Sequence, residues 1–290
     1  MSEATLKVLN EEALDILIQR IDEVSSLPQI AVQAMEIASA EESSASDLTA
    51  IVECDVALSS RVLKLVNSSA FGLRNTVTNL QQAIAYLGMK QVRNLAITAS
   101  VSELFSGGDN VGKYSRSGLW EHMVAVGIAA RIFAKKHRIG DPEDAFIAGL
   151  LHDLGIVILD QFLNSRFALM LETMNPQQVQ VRWERQYFGF DHTEFGERIA
   201  RHWKFPEVVV DTIRYHHMAG VYRGRHSPMI KAVEMGNMAM NEAGITALGA
   251  KYSRISMAAL NHFDMTIGDL SRFAEEVKDE LEKYQDWLVH

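Results

Sequence analysis

The chain has 290 residues, of which 48% are apolar and 22% are charged, a composition typical of a folded globular protein with a substantial core. Its formal net charge of −9 disfavours general affinity for nucleic acid, because phosphate binding needs a basic surface. The single cysteine, Cys54, excludes an internal disulfide, and the first residues lack the basic start and apolar core of a secretion signal. We therefore expect a soluble, cytoplasmic protein that spans no membrane and binds no nucleic acid.

The first hundred residues show apolar side chains at helical spacing and almost no period-two alternation, which predicts helices without a sheet. Ser46 and Asp55 suit the N-caps of two of these helices, and Gly88 suits the left-handed residue that ends another. The predicted helices cover residues 11–24, 29–40, 47–54, a segment after Asp55, 80–88 and 90–104, with a polar loop at 41–44.

A polar, glycine-rich joint at residues 106–112 is the predicted domain boundary. The expected class is therefore all-α, with two packed helical bundles: an N-terminal subdomain of residues 1–108 and a second bundle of residues 109–290. The second bundle ends in an acidic amphipathic helix over 267–288, which we expect to pack back on the body.

Strong helix signals continue through the second bundle. Asp141 suits an N-cap, Pro142 the first helical position and Gly155 a left-handed C-terminal residue. Asp191 opens a later helix with Glu194 three residues on, which is a capping-box pattern. The other predicted helices cover residues 119–137, 156–173, 207–217 and 229–242.

The dipeptide His152-Asp153 lies at the end of an apolar helix, where an unpaired polar group costs about 1–3 kcal/mol. A divalent metal ion would be a suitable partner, and Ala148 and Gly149, one turn earlier, leave room for a close approach to the imidazole. The competing interpretation is a hydrogen-bonded core histidine beside a capping aspartate.

Other histidines of the second bundle share this apolar setting. His122 lies on the same helix face as Val126 and Ala129, and His192 begins the helix that Asp191 caps. The pair His216-His217 ends another predicted helix. Imidazole and carboxylate ligands suit Mn, Fe, Co, Ni or Zn, and converging histidines commonly hold such ions inside helical bundles. The remaining histidines show no such pattern (His137, His202, His226, His262 and His290).

The order of these residues resembles the HD superfamily of metal-dependent phosphohydrolases, and the first half is similar to the HDOD family of bacterial signalling proteins. Three segments carry the second resemblance: SLPQ at 26–29, DVALSSRVLKLVNSSAF at 55–71 and QAIAYLGMKQVRNL at 82–95. The likeness spans roughly residues 20–240. It implies an HDOD-specific helical bundle packed on an HD-type bundle, with a role in signal transduction.

Two positions depart from the pattern of active HD hydrolases. The resemblance places a metal-binding aspartate within residues 232–239, where this chain has Asn237, a weaker ligand. The related HD-GYP phosphodiesterases have a phosphate-contacting lysine soon after the His-Asp pair, where this chain has Ile156, and the Gly-Tyr-Pro signature is also absent.

Three interpretations follow. The first is a regulatory protein that acts through a signalling partner or a small phosphorylated ligand, with a structural or degenerate metal site. The second is an active phosphohydrolase in which the metal activates water, with Asp153 and His152 as catalytic residues. The third is a set of hydrogen-bonded core histidines with no metal. The candidate ligands are His122, His152, Asp153, His192, His216, His217 and, more weakly, Asn237.

Overall fold

The computed structural model of the protein describes residues 11–24, 29–39, 44–108, 110–175, 178–252 and 254–288. Several features of the sequence interpretation lie outside these ranges: the first ten residues, most of the SLPQ segment, most of the polar loop at 41–44, and His290.

All regular secondary structure in these ranges is helical, which confirms the all-α prediction. The helices are α1 (Glu11–Val24), α2 (Gln29–Ser39), α3 (Ala45–Glu53), α4 (Val56–Val66), α5 (Leu80–Leu87), α6 (Met89–Val101), α7 (Arg116–His137), α8 (Pro142–Leu151), α9 (Leu154–Phe162), α10 (Asn164–Thr173), α11 (Gln180–Phe188), α12 (His192–His202), α13 (Glu207–Tyr215), α14 (Ser227–Glu242), α15 (Met257–His262), α16 (Ile267–Leu281) and α17 (Gln285–Leu288).

Helix α7 is the central element of the second bundle. It packs against α8, α14 and α16, and most of its length is buried, because its small and apolar residues extend around the helix rather than along one stripe. Helices α2 to α6 pack on one another, and α6 also contacts α8. The boundary after residue 108 remains a prediction.

The contact between α6 and α8 is polar. Lys90 Nζ lies 2.6 Å from the carboxylate of Asp141, and Arg93 Nη2 lies 2.9 Å from that of Asp144. Asp141 also caps α8, since its side chain accepts a hydrogen bond from the Glu143 amide at 2.8 Å. The acidic residues at the start of α8 therefore cap the free amide groups of their own helix and pair with the basic side chains of α6.

Most predicted helix ends lie within three residues of the observed ones, and three differences have a clear physical cause. Ser44, not Ser46, caps α3, because only Ser44 can form the reciprocal capping box with Asp47. The predicted helix over 156–173 is two helices, broken at Leu163, whose backbone leaves the helical region. Gly155 does not end a helix but lies inside α9, for a packing reason described below.

The C-terminal segment packs back on the body, as its amphipathic pattern predicts. Helix α16 contacts α7 and α14, and Trp287 of α17 is buried. The Trp120 indole N–H donates to the Trp287 carbonyl at 2.8 Å, and the Trp287 indole N–H donates to Ser68 Oγ at 3.2 Å. The last short helix therefore joins residues of both halves of the chain.

Within the described residues, one stretch, Pro142–Phe162, is long and apolar enough to cross a membrane by length and hydropathy alone. However, 89% of its most apolar 18 residues are buried inside the protein, and the His152-Asp153 break divides the stretch. This is the arrangement of a segment that belongs to the protein's own core.

Candidate metal centre

The His152-Asp153 pair lies in the short break between α8 and α9. Helix α8 ends at Leu151, and Asp153 takes a backbone conformation (φ −102°, ψ 17°) that lets α9 start in a new direction at Leu154. Gly149 allows α8 to approach α7, because a Cβ at this position would lie 2.8 Å from the Val126 carbonyl oxygen. The expectation that Gly149 leaves space for a ligand is therefore wrong, since the α7 backbone fills that space.

Gly155 and Gly196 bring α9 and α12 together. A Cβ on Gly155 would lie 2.1 Å from the His192 carbonyl oxygen, and one on Gly196 would lie 3.3 Å from the Gly155 amide nitrogen. Gly155 is thus required by close backbone approach and not by a left-handed conformation. This contact fixes the start of α12, and with it His192, against the Asp153 segment.

Four imidazoles surround the Asp153 carboxylate. Nε2 of His122 and Nε2 of His152 lie 3.5 and 3.2 Å from Oδ2 of Asp153. Nε2 of His192 and Nε2 of His216 each lie 3.3 Å from Oδ1. All five side chains are at most 3% exposed, so four distant segments of the chain converge on one buried carboxylate.

The other ring nitrogen of each histidine has its own acceptor. Nδ1 of His122 lies 2.9 Å from the Ile245 carbonyl oxygen, and Nδ1 of His152 lies 2.7 Å from that of Gly149. Nδ1 of His216 faces the Ile213 carbonyl at 3.0 Å. A carbonyl only accepts, so in the neutral imidazole Nδ1 carries the hydrogen and Nε2 offers a lone pair.

His192 is held by a carboxylate instead. Its Nδ1 and its backbone N–H lie 2.6 and 2.9 Å from Glu184 Oε2, and Glu184 is fully buried on α11. A carboxylate behind an imidazole fixes the ring and increases its basicity, which is a common arrangement behind metal-binding histidines.

The pKa values of His152, His217 and Asp153 are shifted in the directions that favour binding of a cation. Burial lowers the pKa of His152 to about 4, and burial with the neighbouring His216 holds the pKa of His217 well below its usual value. Burial would raise the pKa of Asp153, but His152 and the other imidazoles outweigh it and hold this pKa well below the usual value. At neutral pH the Asp153 carboxyl is therefore ionised, and the imidazoles of His152 and His217 are neutral.

The pKa of His192 moves the other way. Burial would lower it, but Glu184 and Asp153 outweigh burial and raise it well above its usual value. Positive charge is therefore favoured between Asp153 and His192, where either a proton or a metal cation could supply it.

Nε2 of His122, Nε2 of His152 and Oδ1 of Asp153 are buried and have no hydrogen-bond partner. Lone pairs of imidazole and carboxylate that face one another in a buried site repel, and a divalent cation would satisfy them together. The donor set thus fits a first-row divalent metal. Two groups of side chains have ligand atoms within 4.8 Å of one another, and they share Asp153: one with His122 and His152, the other with His192, His216 and His217.

Two predicted site residues lie at the edge of this centre. His217 is half-buried, and its ring centroid is 4.1 Å from that of His216. Asn237 lines the same cavity as His216 and His217, but its amide oxygen accepts a hydrogen bond from Asn241 Nδ2 at 2.6 Å. Part of the coordinating capacity of Asn237 is therefore already in use.

The sequence interpretation missed Glu184, Glu234 and Arg254. Glu184 shares a helix face with Tyr187 and Phe188. An acidic residue on the apolar face of a short helix could have indicated that this carboxylate is buried and has a polar partner. Glu234 and Arg254 line the cavity beside His216 and His217, and no motif marks either of them.

Comparison with known proteins identifies the family. Residues 24–219, more than half of the chain, match the sequence model of the HDOD domain. The chain belongs to the HDOD family. An uncharacterized protein of Treponema pallidum (strain Nichols) is 29% identical over 224 residues, which are 75% of this chain and 42% of that protein. The HDOD chain described here thus spans less than half the length of that relative.

Crystal structures with the same all-helical fold come from several bacteria. An HDOD domain protein of unknown function from Geobacter sulfurreducens has a TM-score of 0.74 at 21% identity, over 96% of this chain and 97% of that one. A provisionally assigned signal transduction protein from Marinobacter aquaeolei VT8 has a TM-score of 0.76 at 21% identity, over 98% and 67%. A provisionally assigned phosphohydrolase from Shewanella amazonensis SB2B has a TM-score of 0.69 at 23% identity, over 94% and 96%. Identities this low establish a shared fold only.

Proposed function

We propose that this HDOD protein is a cytoplasmic signal-transduction protein whose second bundle holds a divalent transition metal, one of Fe, Mn, Co, Ni or Zn. The convergence of four Nε2 atoms on one buried carboxylate is the observation that supports this most directly. The proposed ligands are His122, His152, Asp153, His192, His216 and His217.

Each ligand has a distinct task in this proposal. The two oxygens of Asp153 face different histidine pairs, so this carboxylate would be the shared ligand of the two groups. Glu184 would orient His192 and keep its hydrogen on Nδ1, away from the ion. The backbone carbonyls behind His122 and His152 would do the same for those rings.

A bound divalent ion supplies a Lewis acid that polarises a phosphoryl oxygen and lowers the pKa of a water molecule. Two residues of this chain make fast phosphoester hydrolysis a poor fit. Asn237 brings no negative charge to the centre and bonds to Asn241, and Ile156 is fully buried where HD-GYP proteins lead us to expect a lysine. We therefore favour a regulatory role, in which the protein acts on a signalling partner.

A phosphohydrolase is the second candidate, and the cavity beside His216 and His217 favours it. Glu234 lines this cavity, and burial raises its pKa to about 7, so its carboxyl can hold or release a proton near neutral pH. In this candidate Asp153 and His152 would be catalytic residues.

Metal analysis of protein purified without a histidine tag tests the metal site. We expect about one equivalent or more of a transition metal by mass spectrometry, lost in Asp153→Ala and His152→Ala. His262→Ala, which removes an exposed histidine outside the cluster, should keep the metal. Wild-type protein with less than about a tenth of an equivalent, after metal has been supplied, would overturn the proposal.

Hydrolysis of an aryl phosphodiester separates the two candidates. The regulatory protein should be loaded with metal and yet turn over no substrate. Turnover that disappears in Asp153→Ala, with an unchanged circular dichroism spectrum, would instead support the phosphohydrolase.

A further inference from the structure

A cavity of about 180 Å³ lies between the N-terminal helices and the C-terminal segment. Residues of α4, α6, α7 and α17 line it, so both halves of the chain contribute to its walls. Of the described residues that line it, none belongs to the histidine cluster. A ligand that enters this cavity would therefore touch both halves of the chain without using the groups of the candidate metal centre.

The inner wall of the cavity is apolar. It contains Trp120, Trp287, Leu65 and Ala99, each at most 8% exposed. The indole N–H groups of the two tryptophans already donate to the Trp287 carbonyl and to Ser68 Oγ, so both rings offer the cavity only apolar surface. An apolar cavity of about 150 Å³ holds a benzene molecule. The inner wall therefore fits an apolar group of about the size of a phenyl ring.

Two cationic side chains line the cavity from one face of α4, three residues apart. Arg61 Nη2 pairs with Glu103 at 2.6 Å, but Arg61 Nε is buried and has no hydrogen-bond partner. Lys64 is exposed, and it makes no hydrogen bond or ion pair with the residues that the structure describes. A buried N–H without an acceptor destabilises the folded protein. These two side chains therefore suit a carboxylate, which can accept from both.

Asp286 is the acidic side chain that lines the cavity, and α17 supplies it. It is exposed and makes no ion pair within the described part of the chain, although Lys64 lines the same cavity. Asp286 would repel a ligand that carries only negative charge, and it would attract a ligand that also carries a cation. The charges of the cavity are therefore those that a zwitterion needs.

We propose that this cavity binds a free α-amino acid with an apolar side chain of about the size of a phenyl ring. Its carboxylate would bind Arg61 and Lys64, and its ammonium group would lie at Asp286. Its side chain would pack between the indole rings of Trp120 and Trp287. The proposal does not rest on the metal site, because the two sites share no residue.

The position of the cavity suits a regulatory ligand. Trp287 bonds to Ser68 of the N-terminal half and to Trp120 of α7, and its ring centroid lies 6.0 Å from that of Phe146 on α8. A ligand that packs against Trp287 adds contacts at the junction of the two halves. Because it binds only the folded arrangement, it should stabilise that junction.

Calorimetric titration of the full chain with L-phenylalanine tests the proposal. We expect saturable binding of one equivalent, weakened about tenfold in Lys64→Gln and about tenfold in Asp286→Asn, since each loses one charged partner. Both side chains are exposed, so these variants should keep the fold. Asp279→Asn is the matched control, because it neutralises an exposed acid of α16 outside the cavity and should bind as the wild type does.

A variant of the inner wall tests the location of the side chain. Ala99→Leu places extra methyl groups in the cavity, so it should abolish binding while the circular dichroism spectrum stays unchanged. If the folded Ala99→Leu protein binds L-phenylalanine as tightly as the wild type, the ligand does not occupy this cavity and the proposal is wrong.

Ligand analogues test the two charges. 3-Phenylpropanoate lacks the ammonium group and 2-phenylethylamine lacks the carboxylate, so each should bind the wild type about tenfold more weakly than L-phenylalanine. In Asp286→Asn the difference between L-phenylalanine and 3-phenylpropanoate should disappear, which assigns the ammonium group to Asp286. Equal binding of L-phenylalanine and 3-phenylpropanoate by the wild type would overturn the choice of an amino acid. A wild type without saturable L-phenylalanine binding below about 10 mM would overturn the site itself, and the metal site would be unaffected.

Discussion

Gly155→Ala is the sharpest test of how the fold builds the centre. Alanine normally stabilises a helix interior by about 1 kcal/mol relative to glycine, so helix propensity alone predicts a more stable protein. The structure predicts the opposite, because the new Cβ would lie 2.1 Å from the His192 carbonyl oxygen. Normal contact would require α9 and α12 to separate by roughly 1 Å.

Overpacking of this kind costs about 1–3 kcal/mol, and a clash with backbone cannot be relieved by a change of rotamer. A clash with backbone places the cost at the upper end of this range, about 3 kcal/mol, so after a gain of about 1 kcal/mol in helix propensity we expect a net loss of about 2 kcal/mol in the free energy of unfolding. Because His192 begins α12, the same displacement moves its imidazole, so metal affinity should fall by at least about tenfold.

Urea unfolding and metal content measure these two effects. Gly268→Ala is the matched control, since Gly268 lies in the first turn of α16 and its added Cβ would meet nothing closer than 3.6 Å. The control should be as stable as the wild type or slightly more stable. A Gly155→Ala protein with wild-type stability and wild-type metal content would refute the reasoning about close approach.

Three further predictions concern buried polar groups. Glu184→Gln should lower metal affinity by about 10–100-fold without unfolding the protein, because it removes the carboxylate behind His192; unchanged affinity in a metal titration would contradict this. The folded pKa of Glu234, about 7, lies above its usual 4.5, so the folded state binds the extra proton and stability should fall as the pH rises from 4.5 to 7. Glu234→Gln should remove that slope and be more stable than the wild type above pH 7 by at most about 3 kcal/mol in thermal or urea unfolding, and parallel curves for both proteins would refute it. Asn237→Asp should increase metal occupancy, measured by mass spectrometry against Asn241→Asp, and equal occupancy would exclude Asn237 from the centre.

Helices and their caps were predictable because they depend on neighbours in the sequence. The caps at Asp55, Asp141 and Asp191 are present as predicted, since each needs only its own side chain and the next few amide groups. The choice between Ser44 and Ser46 as the N-cap of α3 required both hydrogen bonds of the capping box to be considered, and only Ser44 has an acidic residue, Asp47, three positions later.

The convergence of His122, His152 and His192 was predictable only as a pattern of polar residues on apolar faces, reinforced by a family resemblance. Their distances depend on how three helices cross, which local periodicity does not encode. Gly155 shows the difference clearly: its position suggested a helix end, whereas its role is to admit the His192 backbone. Arg254 was unpredictable for the same reason, because only the tertiary fold brings this loop residue to the cavity beside the centre.

The ion pairs at the start of α8 have a mechanical consequence. Lys90 and Arg93 hold one end of this ten-residue helix, and His152 follows directly at its other end. An α-helix of this length is a stiff rod of about 15 Å, so a shift of α6 would carry along the histidine that Asp153 faces. Helix α8 therefore connects the N-terminal helices directly to the centre, so a displacement of α6 can alter the centre without any contact between them.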